Sequence, residues 1–245
     1  MHLDGITLFA EKFPTKDHYP FNLTIFQNTS FVPLTVPVTF FIGENGTGKS
    51  TLLRAISNGC RIHRWRGLDR ARSEYNPHEE QLYRALEIHW TNGSVPGSFF
   101  SSQQFQEFAK LVDDWTSTDP GLLEYFGGRS LMTQSHGQVL MAFFRSRYGR
   151  KGLYLLDEPE TALSPKSQLS LLKLLIREGF HGQAQFVIAT HSPILLACPG
   201  ARILGFDDET IGPVAYEQTE YYRFYRDFLT DREKYLGDLN RDERS

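Results

Sequence analysis

Val38-Thr39-Phe40-Phe41-Ile42-Gly43-Glu44-Asn45-Gly46-Thr47-Gly48-Lys49-Ser50-Thr51 is the stretch that decides the fold. Val38–Ile42 is short and rich in branched and aromatic residues, as a strand buried on both faces of a sheet requires. It runs into a glycine loop and then into Lys49–Ser57, which is compatible with a helix. Strand, glycine turn and helix in that order form a phosphate-binding unit. Gly43, Gly46 and Gly48 let backbone N–H groups wrap a phosphate that side chains would obstruct, and Glu44, Asn45 and Thr47 supply the intervening backbone. Lys49 is the point charge for the β- and γ-phosphates. Ser50, followed by Thr51, is placed to put its hydroxyl on Mg²⁺. The positive end of the helix beneath favours the same anion.

Three later motifs belong to the same chemistry. Leu153-Tyr154-Leu155-Leu156-Asp157-Glu158 is an apolar run ending in two carboxylates, so a buried strand would deliver both to the ligand crevice. Asp157 is the candidate to hold Mg²⁺ through its water shell, and Glu158 the candidate to polarise an attacking water. Thr190-His191-Ser192-Pro193 follows the strand predicted at Gln185–Ala189. A neutral His191 there would hydrogen-bond a γ-phosphate and sense its loss. Gln134-Ser135-His136-Gly137-Gln138 opens a helix-like run, where Ser135 and the Gly137 amide would make an anion site.

Elsewhere, Ile6–Phe9, Phe21–Ile25, Leu86–Trp90 and Ser98–Phe100 are predicted as strands. Phe105, Phe108, Leu111 and Val112 recur at helical spacing within Gln103–Trp115, and Gly137–Arg147 reads the same way. Leu153–Leu156 and Phe186–Ala189, with a helix at Ser164–Glu178 between them, argue for a parallel sheet. The fold class expected is α/β: a mostly parallel central sheet with an N-terminal antiparallel β part and a small helical lobe inserted at about 101–150. One domain is expected over 1–240, with a polar tail at 241–245.

Composition excludes several classes. Of 245 residues 40% are hydrophobic and 22% charged, which describes a globular chain able to bury a large core. The net charge of −3 supplies no global basic field for nucleic acid or anionic lipid. Cys60 and Cys198 are isolated from each other and from any metal-ligand spacing, so they read as reduced thiols of a cytosolic protein. Met1–Ala10 lacks the basic and apolar regions of a signal peptide. The uncharged stretch His18–Gly43 is interrupted by Pro20, Pro33 and Pro37, so no membrane insertion is expected.

The order of motifs resembles that of the ABC-type P-loop ATPases over nearly the whole chain: glycine loop, Ser-x-Gly-Gln, Asp-Glu, then histidine. The resemblance implies ATP as the nucleotide and a homodimer in the ATP-bound state. Ser135 and Gly137 would bind the γ-phosphate of ATP held by a second subunit. It also implies that Ala162-Leu163-Ser164 matches the family's D-loop, His191 its switch histidine, and Gln103 or Gln104 its metal-binding Q-loop glutamine. One departure is informative: Gln134 and His136 stand where the family's usual signature has leucine and the first glycine. A Ser-His-Gly core is more similar to soluble members of the family than to transporter subunits. Tyr19-Pro20-Phe21 and the Gly-Glu-Asn-Gly start of the loop are similar to a group of short bacterial ATPases.

Three functions fit. The chain would hydrolyse ATP as a stand-alone soluble ATPase coupled to nucleic acid or a protein partner; it would be the nucleotide-binding subunit of a membrane transporter; or it would be an ATP-gated binding module with negligible turnover. The arginine-rich run Cys60–Arg72, with Arg61, Arg64, Arg66, Arg70, Arg72 and Trp65, reads as a solvated loop or as a contact for phosphates or a partner. The tail carries Tyr221, Tyr222, Phe224, Tyr225 and Phe228, which read as helices packing on the body or as a partner surface.

Overall fold

The computed structural model describes residues 1–63, 76–102 and 136–237. The strands in chain order are β1 (Leu3–Leu8), β2 (Phe31–Pro33), β3 (Val38–Ile42), β4 (Leu86–Trp90), β5 (Gly97–Ser101), β6 (Gly152–Asp157), β7 (Ala184–Ala189), β8 (Arg202–Gly205) and β9 (Gly212–Pro213). The helices are α1 (Thr24–Asn28), α2 (Lys49–Gly59), α3 (His136–Tyr148), α4 (Pro165–Ile176), α5 (Pro193–Leu196), α6 (Glu220–Thr230) and α7 (Glu233–Leu236).

Among the described residues the main sheet has six strands in the order β5-β6-β7-β3-β8-β9. The first four pairings are parallel and only the last, β8 with β9, is antiparallel. Residues of β3, β6 and β7 are buried without exception, which is why these strands carry continuous apolar runs rather than an alternation. Their two faces enter different cores. Phe40, Ile42, Leu156, Phe186 and Ile188 pack beneath helices α3, α4 and α5. Phe41, Leu153, Leu155, Val187 and Ala189 pack against α2 and a second sheet.

That second sheet is antiparallel, in the order β2-β1-β4. Besides the shared apolar core, a buried amide ties it to the main sheet. Gln185 Oε1 accepts from the His2 and Leu3 amides at 2.8 and 2.7 Å, and its Nε2 donates to the Leu3 and Leu34 carbonyls at 2.9 and 2.7 Å. Gln185 is wholly buried and would be costly there without those four bonds.

The segment Phe21–Ile25 departs from the expected strand. Its end lies in helix α1, and Phe21, Ile25 and Phe26 are buried at a spacing that suits a helix face. A segment of five residues carries too little periodicity to separate the two states. The other predicted strands are present within two or three residues of their expected ends. Ser164 is the N-cap of α4, its side chain accepting from the Ser167 amide, and the helix passes into a π-helical turn at Arg177–His181. The predicted helix at Gln103–Trp115 lies outside the described residues.

Replacing Gln185 by Leu leaves the His2, Leu3 and Leu34 backbone groups buried without partners. The expected loss of stability is on the order of 3 kcal/mol, read from denaturant unfolding as a lower midpoint at unchanged slope.

Candidate nucleotide-binding site

Because the sheet is parallel, the C-terminal ends of β3, β6, β7 and β8 open on one edge, and every predicted site residue on those strands arrives there. The loop after β3 has Gly43, Gly46 and Gly48 at φ of 144°, 87° and 104°, a region that favours glycine. At Gly48 the restriction is doubled: an added Cβ would stand 2.6 Å from Phe26 Cζ. Helix α2 starts at Lys49 directly beneath the loop.

Lys49 is buried and its Nζ donates to the carbonyls of Gly43 and Glu44, both at 2.6 Å. Burial lowers its pKa, while Asp207, Glu158, Asp157 and Glu44 oppose that shift. Ser50 Oγ donates to Asp157 Oδ1 at 2.7 Å. Asp157 is buried, and burial raises its carboxyl above the usual range more than Ser50 and Arg54 lower it. A desolvated carboxylate touching a serine hydroxyl is a fitting pair of hard oxygen ligands for Mg²⁺, which supplies charge neutralisation for bound phosphates. Among the described residues no three His, Cys, Asp or Glu side chains cluster as a full metal cage.

Glu158 follows Asp157 in the left-handed region, at φ 49°. Its amide donates to Ala189 O at 2.9 Å and its carbonyl accepts from Ser102 Oγ at 2.8 Å, which hold the conformation in place. The turn directs the carboxylate toward β7, where Oε1 stands 3.6 Å from His191 Nε2. His191 is fixed at two further points: its amide donates to Glu160 Oε1 at 2.6 Å, and its Nδ1 lies 2.6 Å from the Tyr221 hydroxyl. Burial lowers the His191 pKa, with Lys49 adding to the effect, so the ring is neutral near pH 7.

Of the remaining predicted residues, Thr47 caps the loop by donating from Oγ1 to Glu44 O at 2.9 Å, and Asn45 is exposed at its tip. The Thr51 hydroxyl pairs with that of Tyr19. Gly137 stands apart from the loop, its neighbours being Ala162, Leu163 and Ser167. Ser135, Gln103 and Gln104 lie outside the described residues, as does most of the arginine-rich run.

Four groups were not singled out from the sequence as site residues. Tyr19 meets Thr51, Glu160 supports the His191 amide, and Asp207 Oδ1 accepts from the Glu44 amide at 2.6 Å. Tyr221, at the start of α6, reaches both His191 and the loop. Glu160 stands two residues after Glu158, a proximity that offered a clue. Nothing local marks Asp207 or Tyr221, because their partners lie far away in sequence. Glu44, Asn45, His191, Tyr221, Phe224 and Tyr225 surround a cavity of about 540 Å³.

Comparison with known proteins bears on the family. Residues 133–197 match the family described as "AAA domain, putative AbiEii toxin, Type IV TA system". The hemin import ATP-binding protein HmuV of Rhodopseudomonas palustris (strain BisB5) is 32% identical over 182 residues, covering 66% of this chain and 68% of that protein. HmuV of Bradyrhizobium diazoefficiens is 30% identical over 166 residues, where the chain spans 61% of the relative's length. The iron(3+)-hydroxamate import ATP-binding protein FhuC of Bacillus subtilis is 29% identical, with 57% of each chain covered. Among solved structures, a nucleotide-free ATP-binding cassette from an ABC transporter aligns with a TM-score of 0.50 at 13% identity, covering 94% of this chain and 96% of that one. That likeness concerns the fold. With the glycine loop, the Ser50–Asp157 pair and the Glu158–His191 pair on one sheet edge, the relatives settle the family: this chain belongs to the ABC-type P-loop ATPases.

Proposed function

We propose that the chain binds Mg·ATP in the Gly43–Thr51 loop and hydrolyses it to ADP and phosphate as an ATP-joined homodimer. The observation that carries this reading is the convergence of Lys49, the Ser50–Asp157 pair at 2.7 Å and the Glu158–His191 pair at 3.6 Å on the open edge of a parallel sheet. Lys49 would exchange its two carbonyl partners for phosphate oxygens. Ser50 and Asp157 would hold Mg²⁺, with Gln103 as a further ligand. Glu158, held by its strained turn, would accept hydrogen from the attacking water. His191 would meet the γ-phosphate from the β7 side. Gly137 faces the Ala162–Ser164 segment rather than its own loop, which suits a role for Ser135 and Gly137 on the nucleotide of a second copy.

Of the possible couplings, a nucleotide-binding subunit of a membrane import system has the better support, since HmuV and FhuC are both named as import ATP-binding proteins. Among the described residues no helix is long and apolar enough to cross a membrane. The stand-alone reading rests on the Ser-His-Gly core and on the toxin–antitoxin description of the family matched at 133–197. Among the described residues no structural observation favours nucleic acid as partner.

Lys49→Ala is expected to abolish nucleotide binding in a titration with a fluorescent ATP analogue. Glu158→Gln is expected to retain ATP while turnover falls on the order of 100-fold or more, and to accumulate as a dimer by light scattering. Turnover of Glu158→Gln at the wild-type rate would remove Glu158 as the base. Affinity capture with tagged Glu158→Gln in ATP and Mg²⁺ separates the couplings. Recovery of a membrane permease in stoichiometric amount supports the importer reading, and recovery of the chain alone contradicts it.

A further inference from the structure

The contact between α6 and the switch histidine fixes where protons lie. Tyr221 has one hydroxyl proton and two polar neighbours, His191 Nδ1 at 2.6 Å and the Gly43 carbonyl at 3.0 Å. Burial pushes the Tyr221 pKa up to about 12, so that proton is retained at neutral pH. A carbonyl only accepts. If the proton pointed to Nδ1, the hydroxyl oxygen and Gly43 O would face each other at 3.0 Å with nothing between them. Both contacts are satisfied only when Tyr221 donates to Gly43 O and His191 Nδ1–H donates to Tyr221. In the neutral ring, Nε2 then carries a bare lone pair. That atom is buried, has no hydrogen-bond partner, and stands 3.6 Å from another acceptor, Glu158 Oε1.

Resting on the nucleotide-binding function proposed above, we propose that Tyr221 is a positioning residue that holds neutral His191 in its Nδ1–H form. His191 therefore meets a γ-phosphate only after taking up one proton from solvent at Nε2. Phosphate oxygens accept hydrogen bonds and repel a lone pair, so the ring must become doubly protonated to engage them. Nucleotide binding reinforces the arrangement. In the free protein Gly43 O accepts from both Lys49 and Tyr221. Once Lys49 turns to the phosphates, Tyr221 is the donor left to that carbonyl among the described residues. Ionisable groups face His191 from every side: Glu158 from the end of β6, Glu160 beneath its amide, Lys49 from α2, Asp207 after β8, and Tyr221 from α6. The carboxylates favour the extra proton and Lys49 opposes it. Removing Tyr221 would free the neutral ring to carry its proton on Nε2 and to donate without uptake.

The test is ¹⁵N NMR of histidine-labelled protein, with His191→Gln identifying the resonance, before and after addition of adenosine 5′-(β,γ-imido)triphosphate and Mg²⁺. The expected result is a neutral Nδ1–H ring in the free protein, a doubly protonated ring with the analogue, and a neutral Nε2–H ring in Tyr221→Phe with the analogue. A neutral Nε2–H ring in the wild type, free or bound, would overturn the proposal, as would identical behaviour of Tyr221→Phe. A second measurement does not use the Tyr221 variant. Wild-type affinity for the analogue should rise about tenfold per unit as pH is lowered from 8.5 toward 7, a slope that His191→Gln lacks. A flat wild-type profile with tight binding overturns this inference alone. Failure of the wild type to bind the analogue overturns both it and the nucleotide function beneath it.

Discussion

The structure depends on the burial of both faces of a parallel sheet. Strands covered on both sides must be apolar along their length, so polar chemistry is excluded from their interiors and collects where they end. Because β3, β6, β7 and β8 run the same way, their ends share one edge, and the glycine loop, Asp157–Glu158, His191 and Asp207 meet there. Helices α3, α4 and α5 seal one face, while α2 and the antiparallel sheet seal the other. The buried amide of Gln185 helps to join the two sheets.

At that edge, burial perturbs the ionisable groups in the directions that matter for phosphate chemistry. It disfavours charge on Lys49, Asp157 and His191 alike. In the function proposed, each would therefore gain from an oppositely charged ligand: phosphate for Lys49 and His191, a divalent cation for Asp157. The site is held by internal bonds that a ligand would replace, with Lys49 on two carbonyls and Ser50 on Asp157. Such bonds keep the free protein satisfied and leave the geometry prepared.

Much of this was legible in the sequence because the informative signals are local. The Gly43–Thr51 spacing, the apolar run ending in Asp157–Glu158 and the strand before His191 each lie within a few residues, and each has the expected element beneath it. Phe21–Ile25 departs from the expected strand because a short run of mixed apolar and polar residues serves helix and strand equally. Tyr221 and Asp207 were not legible at all, since a contact between residues 221 and 191, or between 207 and 44, leaves no pattern in either neighbourhood. The aromatic tail packs on the body, as its composition suggests, and its first helix also delivers the Tyr221 hydroxyl to His191.

The most direct test of the central claim is the dependence of steady-state ATP hydrolysis on protein concentration. A site completed by a second copy predicts a specific activity that rises with protein concentration, then levels off as dimers saturate. A measurable specific activity that is constant from nanomolar to micromolar protein would mean that one copy suffices, and no hydrolysis at any concentration would contradict the ATPase function itself.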